Sequence, residues 1–501
     1  TLARGPLFYR RRAVIAMATL SLLITVLVGA LFYRRSQAGG EAINSLAVLP
    51  LVNIGGNADA EYLSDGITED LINNLSQLPE LKVMSRSSVF RYKGREIDAR
   101  AVGDALRVQA VLTGTIAQQG DDLSVSVEMA DARDDSHLWG AKYKRKLTDI
   151  VVLQSEITRD VSRKLREPLS GADEQKLVKN YTENSEAYQL YLKGRYHVLK
   201  LTRSEVQTGV SYFQKAVGVD PSYTLAYVGL ADAYRVLALA GELPSTEELP
   251  KAKAAAQKAV ALDDNLAEAH AVLGFIIFWY DWDWKAAENQ FIRALVLDPN
   301  SAETHEAYAH LLSYTGRHAE GLAEIKRARE LDPLNLRTNA LEGAMLINAG
   351  QSDNALVSLQ EALELEPDNW FAQEYAASAY IEKGMFADAV AEARKARDLS
   401  EYSTRPTAFL AYSLAKSGRG AEARAELEGL LKLSTQRYVS PYNIAMIYNG
   451  LGARDKMLAW LERGYQQRDP RMVFLKVEPK WNNSRDDPRF QDLLRRVGFP
   501  Q

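Results

Sequence analysis

Read for where its apolar residues recur, the chain falls into stretches of different rhythm. Residues 13–33 have no rhythm at all: 21 positions without a charge. As a helix such a run is about 31 Å long, enough for a hydrocarbon core of about 30 Å, and it predicts one transmembrane helix. Phe8, Tyr9, Phe32 and Tyr33 lie near its ends, where ring side chains favour a membrane interface. After a linker at 34–44 the pattern shortens. "SLAVLPL" reads as a buried strand, and Leu63, Ile67, Leu71 and Leu75 place one apolar face on a helix. "LKVMS" and "AVLTGTI" read as strands flanking a short helix, "DARAVGDAL", that Asp98 would cap. In "LSVSVEM" the apolar Leu123, Val125, Val127 and Met129 alternate with polar residues, the rhythm of a half-exposed strand. "HLWGAKY" follows, then a helix with Leu153, Ile157, Val161 and Leu165 on one stripe. The predicted order is βαβαβββα, a small mixed α/β domain over 45–167, with a linker at 168–183.

Beyond residue 184 the rhythm becomes helical and repeats. Gly316, Gly350, Gly384, Gly418 and Gly452 stand 34 residues apart. Ala309, Gly343, Ala377, Ala411 and Ala445 keep the same step, as do Ala328, Ala362 and Ala396, and Pro299, Pro333 and Pro367. Each column has a physical reason. The small residues let paired helices approach, the glycine permits a left-handed turn between them, and the proline ends the second helix. Two helices per 34 residues with these columns are the tetratricopeptide repeat. Five units keep register, and three less regular ones precede them, one with an extra residue near 267–299 and one with the insertion "LALAGELPSTEELP". About eight repeats over 184–468 are expected, closed by a capping segment at 469–501. The fold class is mainly α: a transmembrane helix, a small α/β domain and an α-solenoid.

Charge changes the picture at the membrane segment. Arg4, Arg10, Arg11 and Arg12 precede it and only Arg34 and Arg35 follow closely, so the positive-inside rule puts residues 1–12 in the cytoplasm. The expectation is a single-pass inner-membrane protein with residues 36–501 outside the cytoplasm. The alternative, a cleavable signal peptide, has a shorter apolar core and a small-residue cleavage site. The net charge of −4 offers no general grip on nucleic acid, and with no cysteine there is neither a disulfide framework nor a cysteine metal site.

The stretch "SLAVLPLVNIGGNADAEYLSDGITEDLINNLSQLPELKVMSRSSVFRYKG", with "VLTGTI" and "HLWGAKYKRKLTDIVVLQSEI" downstream, resembles the TolB amino-terminal-like domain of bacterial signalling proteins. The resemblance implies a transmembrane helix before the domain, tetratricopeptide repeats after it, and a cytoplasmic effector upstream. That effector is most often a serine/threonine protein kinase, and in other members a nucleotide cyclase or a CadC-like winged-helix DNA-binding domain. The implied function is that of a non-catalytic sensor and interaction region regulating such a kinase. The alternatives are the exterior part of a winged-helix regulator or cyclase, or a stand-alone anchored scaffold. Dimers would suit relatives that signal across a single span.

The resemblance to the repeat family also implies a concave groove for a protein or peptide partner. Its inward positions map onto Phe275, Phe278 and Trp279, then Glu306, His310 and Ser313. They continue through Ala344, Ile347 and Asn348 to Glu374, Ser378 and Glu382, and end at Tyr412 and Lys416. The competing reading of "FWYDWDW" is packing around the extra residue of its repeat.

Catalytic chemistry is hard to place. No glycine loop for nucleotide phosphates and no kinase motif occurs in the sequence, so no cofactor is expected in this chain. "HEAYAH" sets His305 and His310 five residues apart, which turns the rings about 140° from each other, where a zinc helix needs four. Glu306 and His310 share a face and suggest a helical ion pair. Asp65, Glu69 and Asp70 suggest carboxylates offsetting a helix dipole. Asp281 and Asp283 of "DWDW" sit too close together for a glycosidase pair.

Overall fold

The computed structural model describes residues 43–57, 60–78, 81–165, 181–239, 243–400 and 403–500. The first unit is built on β1 (Ser45–Val48), β2 (Val52–Asn53), α1 (Glu61–Ser76) and β3 (Lys82–Val83). It continues with a short α2 (Arg86–Val89), α3 (Ala99–Leu106), β4 (Ala110–Gln119), β5 (Asp122–Asp131), β6 (His137–Lys146) and α4 (Ile150–Leu165). The sheet order is β3-β1-β4-β5-β6, with β2 also paired to β4. β1 runs parallel to β3 and β4, while β4, β5 and β6 form an antiparallel meander. β2 and α2 are additions to the order read from sequence. β2 is only two residues long, too short to leave an alternation. Leu63, Ile67, Leu71 and Leu75 are fully buried, as are Leu153, Ile157 and Val161, so one stripe of each long helix faces the core. Burying each such side chain contributes about 2 kcal/mol. Asp98 caps α3 by accepting from the amides of Arg100 (2.9 Å) and Ala101 (3.2 Å).

The second unit is a stack of helix pairs. They are α5 (Ser185–Val198) with α6 (Arg203–Val219), α7 (Thr224–Leu239) with α8 (Ser245–Leu262), and α9 (Ala267–Ile276) with α10 (Trp284–Leu297). Next come α11 (Ala302–Tyr314) with α12 (His318–Leu331), α13 (Leu336–Asn348) with α14 (Ser352–Leu365), and α15 (Trp370–Glu382) with α16 (Phe386–Leu399). The last pairs are α17 (Thr404–Lys416) with α18 (Gly420–Leu433) and α19 (Pro441–Gly450) with α20 (Arg454–Gln466). The five register glycines all have positive φ, from +70° to +95°, and the amide after each reaches back five residues, as Met385 does to Tyr380 (2.9 Å). The small-residue columns are buried at the helix contacts; Ala309, Ala328, Ala377, Ala396, Ala411 and Ala445 are all fully enclosed. The extra residue of the third pair is absorbed by one π-helical turn at Ile277–Asp281, and Trp282 ends it at φ +58°.

One part of the expected architecture is corrected. No helix among the described residues is long and apolar enough to cross a membrane. The longest, α8, has 18 residues but carries Glu247, Glu248, Lys251, Lys253 and Lys258. A fold with one transmembrane helix, a membrane contact through 13–33 and a single-pass inner-membrane placement are therefore withdrawn. Residues 13–33 themselves lie outside the described residues.

The two units are joined by more than the chain. α1 packs on α5, where Gly66 permits the approach: a Cβ there would stand 2.6 Å from Leu192. Tyr188 donates its hydroxyl to Asp70, and Arg195 pairs with Glu69. At the far side of the α/β unit, Ser87 and Ser88 both donate to Asp332, which follows α12. The α/β unit therefore touches the first repeat and the junction of the fourth and fifth.

Candidate functional site

The first helices of the pairs present the positions that sequence assigned to a groove. What meets them is the end of the same chain. After α20 the backbone passes Arg468, at φ +52°, and enters two 3₁₀ turns, Pro470–Phe474 and Pro479–Ser484, before α21 (Pro488–Val497). Phe474 lies against Trp279 (centroids 5.5 Å), Tyr314 (4.8 Å) and Tyr442 (5.9 Å). Trp282 contacts Tyr465 (5.5 Å), and Trp284 stacks on Phe499 (4.8 Å). Trp279 and Trp284 of "FWYDWDW" thus each meet an aromatic ring from the segment after α20, whereas Trp282 meets one on α20 itself. Backbone contacts reinforce them: Ser245 donates to the carbonyl of Arg468 (2.8 Å), and the Lys476 ammonium donates to that of Thr315 (3.0 Å).

Further along, the segment is held by charge and hydrogen bonds. The Tyr442 hydroxyl donates to Glu478 and accepts from the Trp481 indole (2.8 Å). Asn449 donates to the backbone carbonyl of Lys480 (2.6 Å) and accepts from Asn483 (2.9 Å). Arg405 pairs with Glu374 (2.6 Å), and both line a crevice with Phe474 and Glu478. Room there for solvent centres is ≈ 10 Å³, about what one water molecule needs.

The fourteen positions assigned to a groove separate into three groups. Phe275, Phe278, Trp279, His310, Ser313, Ala344, Ile347, Glu374 and Tyr412 are buried. Glu306, Asn348 and Ser378 are half-buried, while Glu382 and Lys416 are exposed. Trp279 and His310 meet edge to face (6.1 Å), and His310 stacks on Tyr314 (5.5 Å). Ile347 instead joins the apolar core between its own repeat and the next, with Leu359 and Ala376. Glu306 and His310 do not pair. Glu306 bonds Arg337 (3.1 Å) and Thr338 (2.6 Å), and burial, with Arg337 and Arg405 nearby, lowers the His310 pKa to about 3 and keeps it neutral. His305 faces elsewhere, toward Glu324 (2.5 Å) and the carbonyl of Pro299 (3.1 Å). Asp281 pairs with Lys253 (2.6 Å), and Asp283 caps α10 through the amide of Ala286 (3.0 Å).

The carboxylates of α1 also have a different role from the one expected. Only Glu61 sits in the first turn. Asp65 joins Lys93, Glu69 joins Arg195 and Arg86, and Asp70 accepts from Tyr188. Glu69 and Asp70 are docking residues, Asp65 is tied within the α/β unit, and all these partners lie too far along the chain for sequence spacing to reveal. Arg195, Arg405 and the rings of Phe474, Trp481 and Phe499 were likewise not singled out from sequence. The available signal was the tail's aromatic content, more than a simple cap requires.

Residues 42–160 match the family described as "HilA/YgeH-like transcriptional regulator, second domain". The comparisons attach that description to this unit, and none of the matches below carries a TolB name. A protein of Rhizobium meliloti (strain 1021) named "Putative adenylate cyclase 3" is 31% identical over 240 residues, 47% of this chain and 40% of that protein. The transcriptional regulator HilA of Salmonella typhimurium is 23% identical over 284 residues, 56% of this chain and 50% of HilA. This chain therefore matches half or less of the length of these relatives. Among solved structures, the APC/C hetero-tetramer Cut9-Hcn1 is similar at 17% identity and a TM-score of 0.42, covering 70% of this chain and 63% of that one. The repeat array of the present chain, by its own helix pairing and 34-residue step, is a tetratricopeptide-type scaffold.

Proposed function

We propose that this chain is the partner-binding, regulatory region of a larger signalling protein whose output is transcription or cyclic-nucleotide synthesis. The observation that carries the reading is the match of residues 42–160 to the second domain of HilA/YgeH-like transcriptional regulators, in a unit clamped onto a repeat scaffold. The scaffold offers a long surface to a protein or peptide. The α/β unit, fixed to the first repeat and to the junction of the fourth and fifth, would register a change in its curvature. A coupling of about 1–3 kcal/mol between the two would be enough to move an output severalfold. The regulator and cyclase among its relatives favour those two effector classes over the kinase implied by sequence resemblance. No cofactor is assigned to this region.

The test uses the complete protein with and without residues 43–500. Sequence-specific DNA binding and cyclic AMP production are measured for both forms. A change in either output on deletion supports the proposal. Neither output in the complete protein, or outputs indifferent to the deletion, overturns it; ATP-dependent autophosphorylation instead would return the kinase reading.

A further inference from the structure

The concave face of the third to eighth repeats is occupied from within, and the occupant fits it incompletely. Among the described residues, the indole N–H groups of Trp279 and Trp284, which meet Phe474 and Phe499, have no acceptor. His310 Nδ1, beside Trp279, also lacks a partner among the described residues. All three side chains are more than nine-tenths buried. A buried polar group left unmatched costs about 1–3 kcal/mol. Unmatched indole donors at Trp279 and Trp284, where Phe474 and Phe499 meet them, mark a surface that a different occupant would satisfy better.

The present occupant shows what chemistry that surface accepts. Phe474 enters between Trp279, Tyr314 and Tyr442, and four residues later Glu478 takes the Tyr442 hydroxyl. Asn449 reads a backbone carbonyl of the segment rather than a side chain. The segment itself is two short turns followed by α21, joined to α20 through a non-glycine residue at positive φ. We propose that residues 470–500 are a displaceable pseudo-ligand, and that the partner replacing them is a peptide with an aromatic residue followed four positions later by a carboxylate. Its backbone carbonyls would supply the acceptors that the indoles lack. The inference rests on the scaffold being a partner-binding surface and adds the partner's chemistry and the need for release.

The probe is a fluorescein-labelled peptide of residues 470–486, titrated by anisotropy into the full chain and into its Phe474→Ala variant. That substitution loosens the internal segment but leaves Trp279, Tyr314 and Tyr442 in place. The expected result is binding at least tenfold tighter to the variant, lost when the peptide's own Phe474 or Glu478 is replaced by alanine. Equal or absent binding to both proteins, with unchanged far-ultraviolet circular dichroism, overturns the proposal. Should the variant fail to fold, hydrogen exchange of the unaltered chain decides. Amides of 470–484 exchanging at least tenfold faster than those of α19 support it, and equal protection overturns it. If peptide exchange fails while deletion of 43–500 still alters output, the pseudo-ligand falls and the regulatory role stands. An indifferent deletion removes that role instead.

Discussion

Gly384 has φ +73°, and nothing lies within 4 Å of the place a Cβ would occupy. Its requirement is purely conformational, so Gly384→Ala should destabilise the chain by about 1 kcal/mol and Gly384→Asn by less, read from urea midpoints. The repeat that exposes these glycines hides another column, with steps of 35, 34 and 34 residues. His270, His305, Asn339 and Gln373 each bond the backbone carbonyl six residues earlier, at Asp264, Pro299, Pro333 and Pro367. The glycine column is legible because one residue type meets its need. The clasp needs only a suitably placed polar group, which His, Asn and Gln all provide, so identity does not reveal it. In "HEAYAH", His305 is such a clasp and His310 a buried ring against Trp279 and Tyr314. Asn339→Ala should cost about 1–2 kcal/mol, seen as faster hydrogen exchange in the first turn of α13. Asn339→His should restore most of it, since the third and fourth repeats use histidine there.

At the scale of elements, periodicity was readable wherever partners lie on the same helix or the next. The apolar stripes of α1 and α4 and the repeat columns belong to this class. The polar residues of α1 do not, because Arg195 and Tyr188 approach them only after the solenoid has formed. That contact should be sensitive to pH. Burial first, and then the neighbouring Glu69, raise the Asp70 pKa from 3.8 to about 7, while the Tyr188 hydrogen bond and Arg195 oppose the rise. A carboxyl with a raised pKa in the docked state binds its proton more tightly there. Its contribution to docking is full below about pH 4 and is lost as pH rises through about 7. Acidification from pH 8 to 5 should therefore slow hydrogen exchange along α5 beyond the intrinsic change, and Asp70→Asn should flatten the dependence. An unchanged profile in Asp70→Asn would assign the effect to other groups at the contact.

For the whole molecule, the α/β unit and the segment after α20 both return to the solenoid between them, and neither return follows from local pattern. The tail closes on the third repeat through stacked rings, whereas the α/β unit reaches the fourth and fifth through one carboxylate. Asp332 is almost completely buried, and its hydrogen-bond partners are the hydroxyls of Ser87 and Ser88 and the amide of Asn335 (2.9 Å). Ser88 is used twice, because its oxygen also accepts from the Leu334 amide (3.3 Å). No cation joins Asp332 among the described ion pairs, so the α/β unit supplies most of what replaces its hydration. Each hydroxyl withdrawn from a buried carboxylate costs about 1–3 kcal/mol. Asp332→Ala removes the acceptor itself and leaves two hydroxyls and an amide to water. It should raise hydrogen exchange in 85–92 by tenfold or more while α13 to α18 keep their protection. Small-angle scattering should show a larger radius of gyration as the unit swings about its remaining hold on α5. Ser87→Ala, which spares the doubly bonded Ser88, should produce the smaller change. Loss of protection throughout the repeats would instead make Asp332 part of the solenoid's own stability, and the clamp between the two units would lie elsewhere.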